Sequence, residues 1–405
     1  MENHLSLIII TLLFLIFGLF SKLSERSFIT GPMVFLTVGL IASPLATDLI
    51  DIKFDTDIVK ILAELTLIII LFVDASYLSY CNLRKLLSGI PARLLLIGLP
   101  LTMMLGTLTA QYFFPEYSLW MLVLLALILS PTDAALGQAV VESEQVPKRI
   151  KESISIESGL NDGIALPPIL FCIALLASGS SVLNNSGYWL TFLASQLVLG
   201  PLVGAIVGFV GGRLIDYATH KNWMNHAFHH IVSIALALLA YSAAEFIHGN
   251  GFIAAFFAGL TLSTKIPLVR DNIQEFSEAQ GKLLALIIFF LFGLVCIPAF
   301  YSYWTLNIVI YALLSLTLIR MIPVFIALIG IKIDLYSKFF IAWFGPRGIA
   351  SILYLLIVID ELKVTGYETL LAAIVLTVSI SVFAHGLSAV FMSNRFKELV
   401  NNNRC

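Results

Sequence analysis

Leu127-Ile128-Leu129-Ser130-Pro131-Thr132-Asp133-Ala134-Ala135-Leu136-Gly137 is an apolar run interrupted in its middle by a proline, a threonine and a carboxylate. Proline removes a backbone donor and opens the helical ladder. Unwound backbone at membrane depth is tolerated only where it is buried in protein or lines a cavity, and freed carbonyls there can coordinate a cation. The stretch therefore reads as a broken helix inside a bilayer. The whole chain agrees: of 405 residues, 59% are hydrophobic and 12% charged, and mean hydropathy is +0.98. A soluble domain runs about 25% charged, so an ordinary soluble enzyme and a disordered chain are both excluded. With 23 basic against 25 acidic side chains there is no basic footprint for nucleic acid. Cys81, Cys172, Cys296 and Cys405 lie far apart, which indicates neither a disulfide framework nor a zinc knuckle.

The composition predicts an all-α polytopic membrane protein. A helix crossing about 30 Å of hydrocarbon needs roughly 20 mainly apolar residues. Thirteen windows qualify: 5–21, 28–45, 58–79, 92–113, 117–140, 151–177, 187–212, 226–247, 250–264, 282–300, 304–329, 336–359 and 367–392. The first lacks a basic leader and a small-residue cleavage site, so it reads as a retained span rather than a signal peptide. The loops and the tail from Asn394 are too short to fold alone. Loop charge tests the count. Only Lys53 and Lys363 lie after even-numbered windows; Lys60, Arg320 and Arg347 fall inside windows, and every other basic residue lies in the loop after an odd-numbered one or at the first residues of the window that follows it. The positive-inside rule then puts the N-terminus outside and the C-terminus in the cytoplasm.

Ionisable side chains at membrane depth are costly and mark function by default. The sixth window carries Glu157-Ser158-Gly159-Leu160-Asn161-Asp162-Gly163, which places Glu157 with Asn161, and Ser158 with Asp162, four apart on one helix face. Carboxylate, hydroxyl and amide oxygens on one stripe suit a small hard cation. The twelfth window carries Trp343-Phe344-Gly345-Pro346-Arg347-Gly348, a second broken helix. The fifth and twelfth windows are seven apart, an odd shift, so two halves related by it lie in opposite orientations. Matching interruptions in corresponding spans point to an inverted-repeat secondary transporter with its site at the breaks, near the midplane. Asp74 lies in the third window. Arg320 lies deep in the eleventh and needs a partner, for which Glu157 is the best placed; that pairing leaves Asp162 as the carboxylate free to titrate. Lys60 and Glu64 read as a local pair. His226, His229 and His230 read as a solvated helix start, and Glu245 and His248 stay unassigned.

Ser130-Pro131-Thr132-Asp133-Ala134 followed by Glu157-Ser158-Gly159-Leu160-Asn161-Asp162 resembles the monovalent cation:proton antiporter superfamily. The Asn161-Asp162 pair is similar to its electroneutral sodium/proton exchanger branch, which includes the NhaP-type proteins. Gly345-Pro346-Arg347-Gly348, the deep Arg320 and the small-residue run Gly251–Gly259 fit the same branch. The resemblance implies that Asp162 binds ion and proton, with Ser158, Thr132 and Asp74 supplying further oxygens to Na+. Asp133 would position the unwound segment, Glu157 and Arg320 would form a supporting ion pair with Asn161 alongside, and Arg347 would stabilise the second break or tune the pH response. Two departures stand out: Asp at 74 where many relatives have Glu, and Ala134 rather than Pro after Asp133. The implied fold is a homodimer with interface parts at 1–81 and 179–300, mobile core parts at 82–178 and 301–393, and a short tail at 394–405.

Burial favours the protonated carboxyl, whereas a bound cation favours the ionised form. One group then serves proton and cation in turn, and alternating access exchanges them. With Asn161 in place of a second acid, the expected exchange is one charge for one charge, without ATP or any cofactor beyond the transported Na+ or Li+ and H+. The expected partner is the plasma-membrane bilayer, with no nucleic acid and no soluble substrate. K+/H+ exchange and transport of an organic solute are the alternatives. A channel would need a continuous polar path, and an intramembrane enzyme would need a nucleophile or metal set at depth.

Overall fold

Among the described residues, regular structure is entirely helical, as it must be for a single-chain bundle whose backbone polar groups have no water to bond. The computed structural model describes residues 2–24, 28–50, 57–77, 89–133, 136, 140, 143, 145–177, 198–262, 267–362 and 366–402. In chain order the helices are α1 (Glu2–Ser24), α2 (Gly31–Ala42), α3 (Asp57–Tyr77), α4 (Ile90–Phe113, with a π-helical turn at Leu94–Gly98), α5 (Leu119–Ile128), α6 (Lys148–Ala177) and α7 (Gly200–His220). Then follow α8 (His226–Phe246), α9 (Gly251–Thr261), α10 (Pro267–Leu291, continued by a π-helical turn Phe292–Cys296 and by Ile297–Phe300), α11 (Leu306–Leu316), α12 (Leu318–Ala327), α13 (Leu335–Trp343), α14 (Ile349–Leu362) and α15 (Glu368–Asn402).

Six segments are long and apolar enough to cross a membrane by length and composition: Ile90–Phe113, Lys148–Ala177, Gly200–His220, Ala279–Tyr303, Leu306–Ala327 and Glu368–Phe396. Helix occupies part of every predicted window, with three differences. The fifth window breaks as read from its proline: α5 stops at Ile128, three residues short of Pro131. In the seventh, the described helix runs past 212 to His220 and carries Arg213 and His220 on its last turns; residues 187–197 lie outside the described residues. The eleventh bends at Thr317, whose φ −112° and ψ −95° are not helical. Pro323 in α12 deprives Ile319 of its helical donor one turn after that bend. Past the thirteenth window, α15 runs on to Asn402, through most of the expected tail.

Contacts divide the chain into two compact units. One comprises Met1–Ile61, Ile90–Ser158 and Ala285–Cys405; the other comprises Leu62–Gly89 and Gly159–Leu284. In the first, α4 packs on α5 and α12, α12 on α13, and α11 on α15. There α2 crosses the end of α10 at two glycines facing each other's backbone: a Cβ on Gly39 would strike the Phe290 carbonyl, and one on Gly293 the Leu36 carbonyl. In the second unit, α7 packs on α8 and α9, and α8 on α9. Gly204 and Gly208 of α7 lie directly on the carbonyls of Ala254 and Ala258 of α9. Lipid tails are as apolar as leucine, so small residues that let two backbones meet are what hold membrane helices together. Replacing Gly204 with Val should force α7 off α9 at a cost of about 1–3 kcal/mol. Thermal melting in detergent should show a lowered midpoint. Gly18→Val, where nothing lies within 4 Å of the added carbon, should leave it in place.

Candidate functional site

Two helix breaks meet in the first unit. At the first, α5 ends and its last carbonyls need donors. Ala126 O accepts from Ser130 Oγ at 2.6 Å, and Ile128 O accepts from Ser351 Oγ of α14 at 2.7 Å. Ser130 O and Pro131 O both accept from Arg347 Nη1, at 2.6 and 3.0 Å. At the second, Asp133 Oδ2 accepts from the Ile349 N–H at 2.7 Å, where α14 begins, and the Asp133 N–H donates to Pro346 O at 2.8 Å. Each break thus caps the other. Arg347 puts a cation at the negative C-terminal end of α5, and Asp133 puts an anion at the positive N-terminal end of α14. Gly348 is required there, because a Cβ would collide with the Asp133 carboxylate. A Cβ on Gly345 would press against the Arg320 guanidinium and lie 3.0 Å from Thr132 Cγ2.

Thr132 follows the capped carbonyls, and its Oγ1 lies 2.9 Å from Ser158 Oγ of α6, both buried. One residue earlier on α6, Glu157 Oε1 stands 2.6 Å from Arg320 Nη2, with both side chains 1% exposed. At that exposure a lone ion of either sign is untenable, so each explains the other. The first unit therefore gathers Thr132, Asp133, Glu157, Ser158, Arg320 and Arg347. The side chains of Arg347 and Asp133 each reach the opposite break.

The second unit holds the remaining ion-site residues named from the sequence, Asp74, Asn161 and Asp162. Asn161 and Asp162 are buried on α6, with Asp162 one turn beyond Ser158. Asp74 on α3 lies beside Gly159, where an added Cβ would be 3.9 Å from its carbonyl oxygen. Gly259 of α9 touches the Phe72 carbonyl two residues earlier on the same helix. The side chains of Lys60, His226, His229 and His230 lie outside the described residues, so the Lys60–Glu64 pairing does too. Glu245 accepts from the Gly251 N–H at 2.8 Å and Asn250 Oδ1 from the Ile253 N–H at 2.9 Å, which together cap the start of α9.

His385, Ser381 and Ser351 were not singled out from the sequence. His385 is 1% exposed on α15 and bonds to the second break. The signal was there in Val382-Phe383-Ala384-His385-Gly386, an ionisable group amid an apolar window.

Comparison with known proteins follows the same lines. The sequence model described as "Sodium/hydrogen exchanger, transmembrane" matches residues 8–395. The chain belongs to the sodium/hydrogen exchanger family. It is a multi-pass membrane protein, NhaP-like within the monovalent cation:proton antiporters. It is 25% identical over 354 residues to the K(+)/H(+) antiporter NhaP of Alkalimonas amylolytica, covering 86% of this chain and 60% of that protein. It is 23% identical over 395 residues to the Na(+)/H(+) antiporter of Schizosaccharomyces pombe, covering 90% and 83%. The chain thus spans about 60% of the length of the first of these relatives. Its fold is that of the sodium proton antiporter MjNhaP1 of Methanocaldococcus jannaschii, with TM-score 0.73 at 21% identity over 95% of this chain and all of that one.

In this chain, removing one member of the buried ion pair should strand the other. Arg320→Ala or Glu157→Ala should cost about 3–5 kcal/mol, read as a large fall in thermal midpoint. The apolar double replacement Arg320→Met/Glu157→Leu should recover most of that loss. Equal melting of wild type and Arg320→Ala would contradict the pairing.

Proposed function

We propose that the chain is a secondary antiporter that exchanges Na+ or Li+ for H+ one for one, with cation and proton competing for Asp162. The observation that carries this reading is a buried carboxylate one helical turn from a buried hydroxyl, Ser158, which itself meets Thr132 at a capped helix break. Ser158, Thr132 and Asp74 supply further oxygens to the ion, with Asn161 packed alongside. Asp133 is occupied by the N-terminus of α14, so its part is to hold the break that presents Thr132. Family membership and the antiporters among the relatives support exchange of a monovalent cation against protons.

The electroneutral stoichiometry follows from Asn161: a second acid there would carry a second charge. Glu157 is committed to Arg320, which leaves Asp162 to alternate between its protonated and cation-bound forms. Thirteen crossings in two inverted repeats, an outside N-terminus, a plasma-membrane location and a homodimer with core parts at 82–178 and 301–393 complete the proposal. Potassium is the second reading, favoured by the name of the Alkalimonas relative.

The test uses purified protein in liposomes carrying a pH gradient, with sodium, lithium or potassium added in turn and the membrane potential clamped or free. Sodium or lithium should collapse the gradient equally under both conditions, and Asp162→Asn should abolish the effect. Coupled exchange that survives Asp162→Asn, or a rate that follows the potential, would contradict the assignment. A response to potassium alone would select the second reading.

A further inference from the structure

A stripe of α15 grips both ends of the second break. Trp343 closes α13 and Arg347 precedes α14, so the interruption removes the helical bond these two would share; the Trp343 carbonyl accepts from the Gly345 N–H at 2.7 Å and keeps a second acceptor position, while the Arg347 N–H needs a new partner. Both are met by one face of α15. The Arg347 N–H donates to Ser381 Oγ at 2.6 Å. One turn on, His385 Nδ1 lies 3.1 Å from Ser381 Oγ, and its Nε2 lies 3.0 Å from Trp343 O. Nδ1 also lies 3.0 Å from the Ser381 carbonyl. With the proton on Nε2, that nitrogen donates to the Trp343 carbonyl and Nδ1 accepts from the Ser381 hydroxyl, so a chain of three hydrogen bonds closes across the gap. Ser381 and His385 are both buried. Trp343 is fixed a second time: its Nε1 donates to Ser388 Oγ at 2.9 Å, and its ring lies 5.1 Å from the imidazole.

We propose that Ser381 and His385 are positioning residues for the cation, holding the second break at one width so that Arg347 delivers a fixed first break. The path is continuous in hydrogen bonds. His385 and Ser381 set the Arg347 backbone, and the Arg347 guanidinium holds Ser130 O and Pro131 O. The next residue is Thr132, whose hydroxyl meets Ser158. Loosening the bracket lets the Thr132 and Ser158 oxygens spread, which weakens cation binding more than it slows turnover. This inference rests on the reading of those two hydroxyls as ion ligands; the bracket itself does not.

The test has a transport arm and an amide arm, both on the full chain. His385→Phe keeps the ring and removes both hydrogen bonds, Ser381→Ala removes the hydroxyl, and His385→Gln keeps a donor and an acceptor. In liposomes, His385→Phe and Ser381→Ala should each raise the half-saturating sodium or lithium concentration about tenfold, the equivalent of one buried hydrogen bond. The maximal rate should stay within about twofold, the mark of lost binding rather than lost turnover. His385→Gln should restore most of the affinity, and the double variant should be no worse than either single one, since both break the same chain. Unchanged half-saturation, or a His385→Gln as impaired as His385→Phe, would overturn the proposal. Amide hydrogen exchange over residues 344–348, read by mass spectrometry, should speed up about tenfold in Ser381→Ala and His385→Phe. Unaltered protection would overturn the bracket. Should wild-type protein exchange no cation, the antiport reading fails, and the amide arm alone decides whether the bracket exists.

Discussion

Two interrupted helices that cap one another are the constraint on which the rest of this structure depends. A break in a membrane helix exposes carbonyls at one end and N–H groups at the other, with no water to take them. Here the carbonyls of Ser130 and Pro131 go to Arg347 of the opposite break, and the Ile349 N–H goes to Asp133 of the first. The arrangement is reciprocal in charge as well as in geometry, since a guanidinium sits at a helix C-terminus and a carboxylate at a helix N-terminus. Neither break could be relaxed alone without orphaning groups in the other. Gly348 is small because the Asp133 carboxylate occupies the space a side chain would need.

The Arg320–Glu157 pair serves a different end. Buried pairs give little net stability, because desolvation consumes much of the attraction, but breaking one is expensive. Its placement explains its use. Arg320 packs against Gly345 beside Thr132, and Glu157 precedes Ser158. The pair therefore ties α12 and α6 together at the point where the two hydroxyls meet.

Much of this was legible in the sequence, and for local reasons. Pro131 and Gly345-Pro346 announce their breaks, because a missing N–H is a property of one residue. Arg320 demanded a partner, and Glu157 was the best-placed acid. The roles of Asp133 and Arg347 were not legible in the same way. Each acts on backbone groups 216 or 217 residues distant, and spacing along a chain says nothing about which segments cross. The bend at Thr317 and the extension of α7 to His220 were hidden because apolar windows of about 20 residues do not reveal where a helix turns or ends. His385 was hidden because one polar residue barely lowers the hydropathy of the long apolar run around it.

The proposed mechanism places fixed parts around one changeable group. In it the capped breaks, the ion pair and the α15 bracket hold geometry, while a single carboxylate carries either a proton or a cation. Proton release measured on cation addition to purified protein in weakly buffered detergent tests that claim most directly. Wild type should release about one proton per cation bound at a pH where the carboxyl is protonated, and Asp162→Asn should release none. Cation binding without proton release, or release undiminished in Asp162→Asn, would contradict competition at this residue.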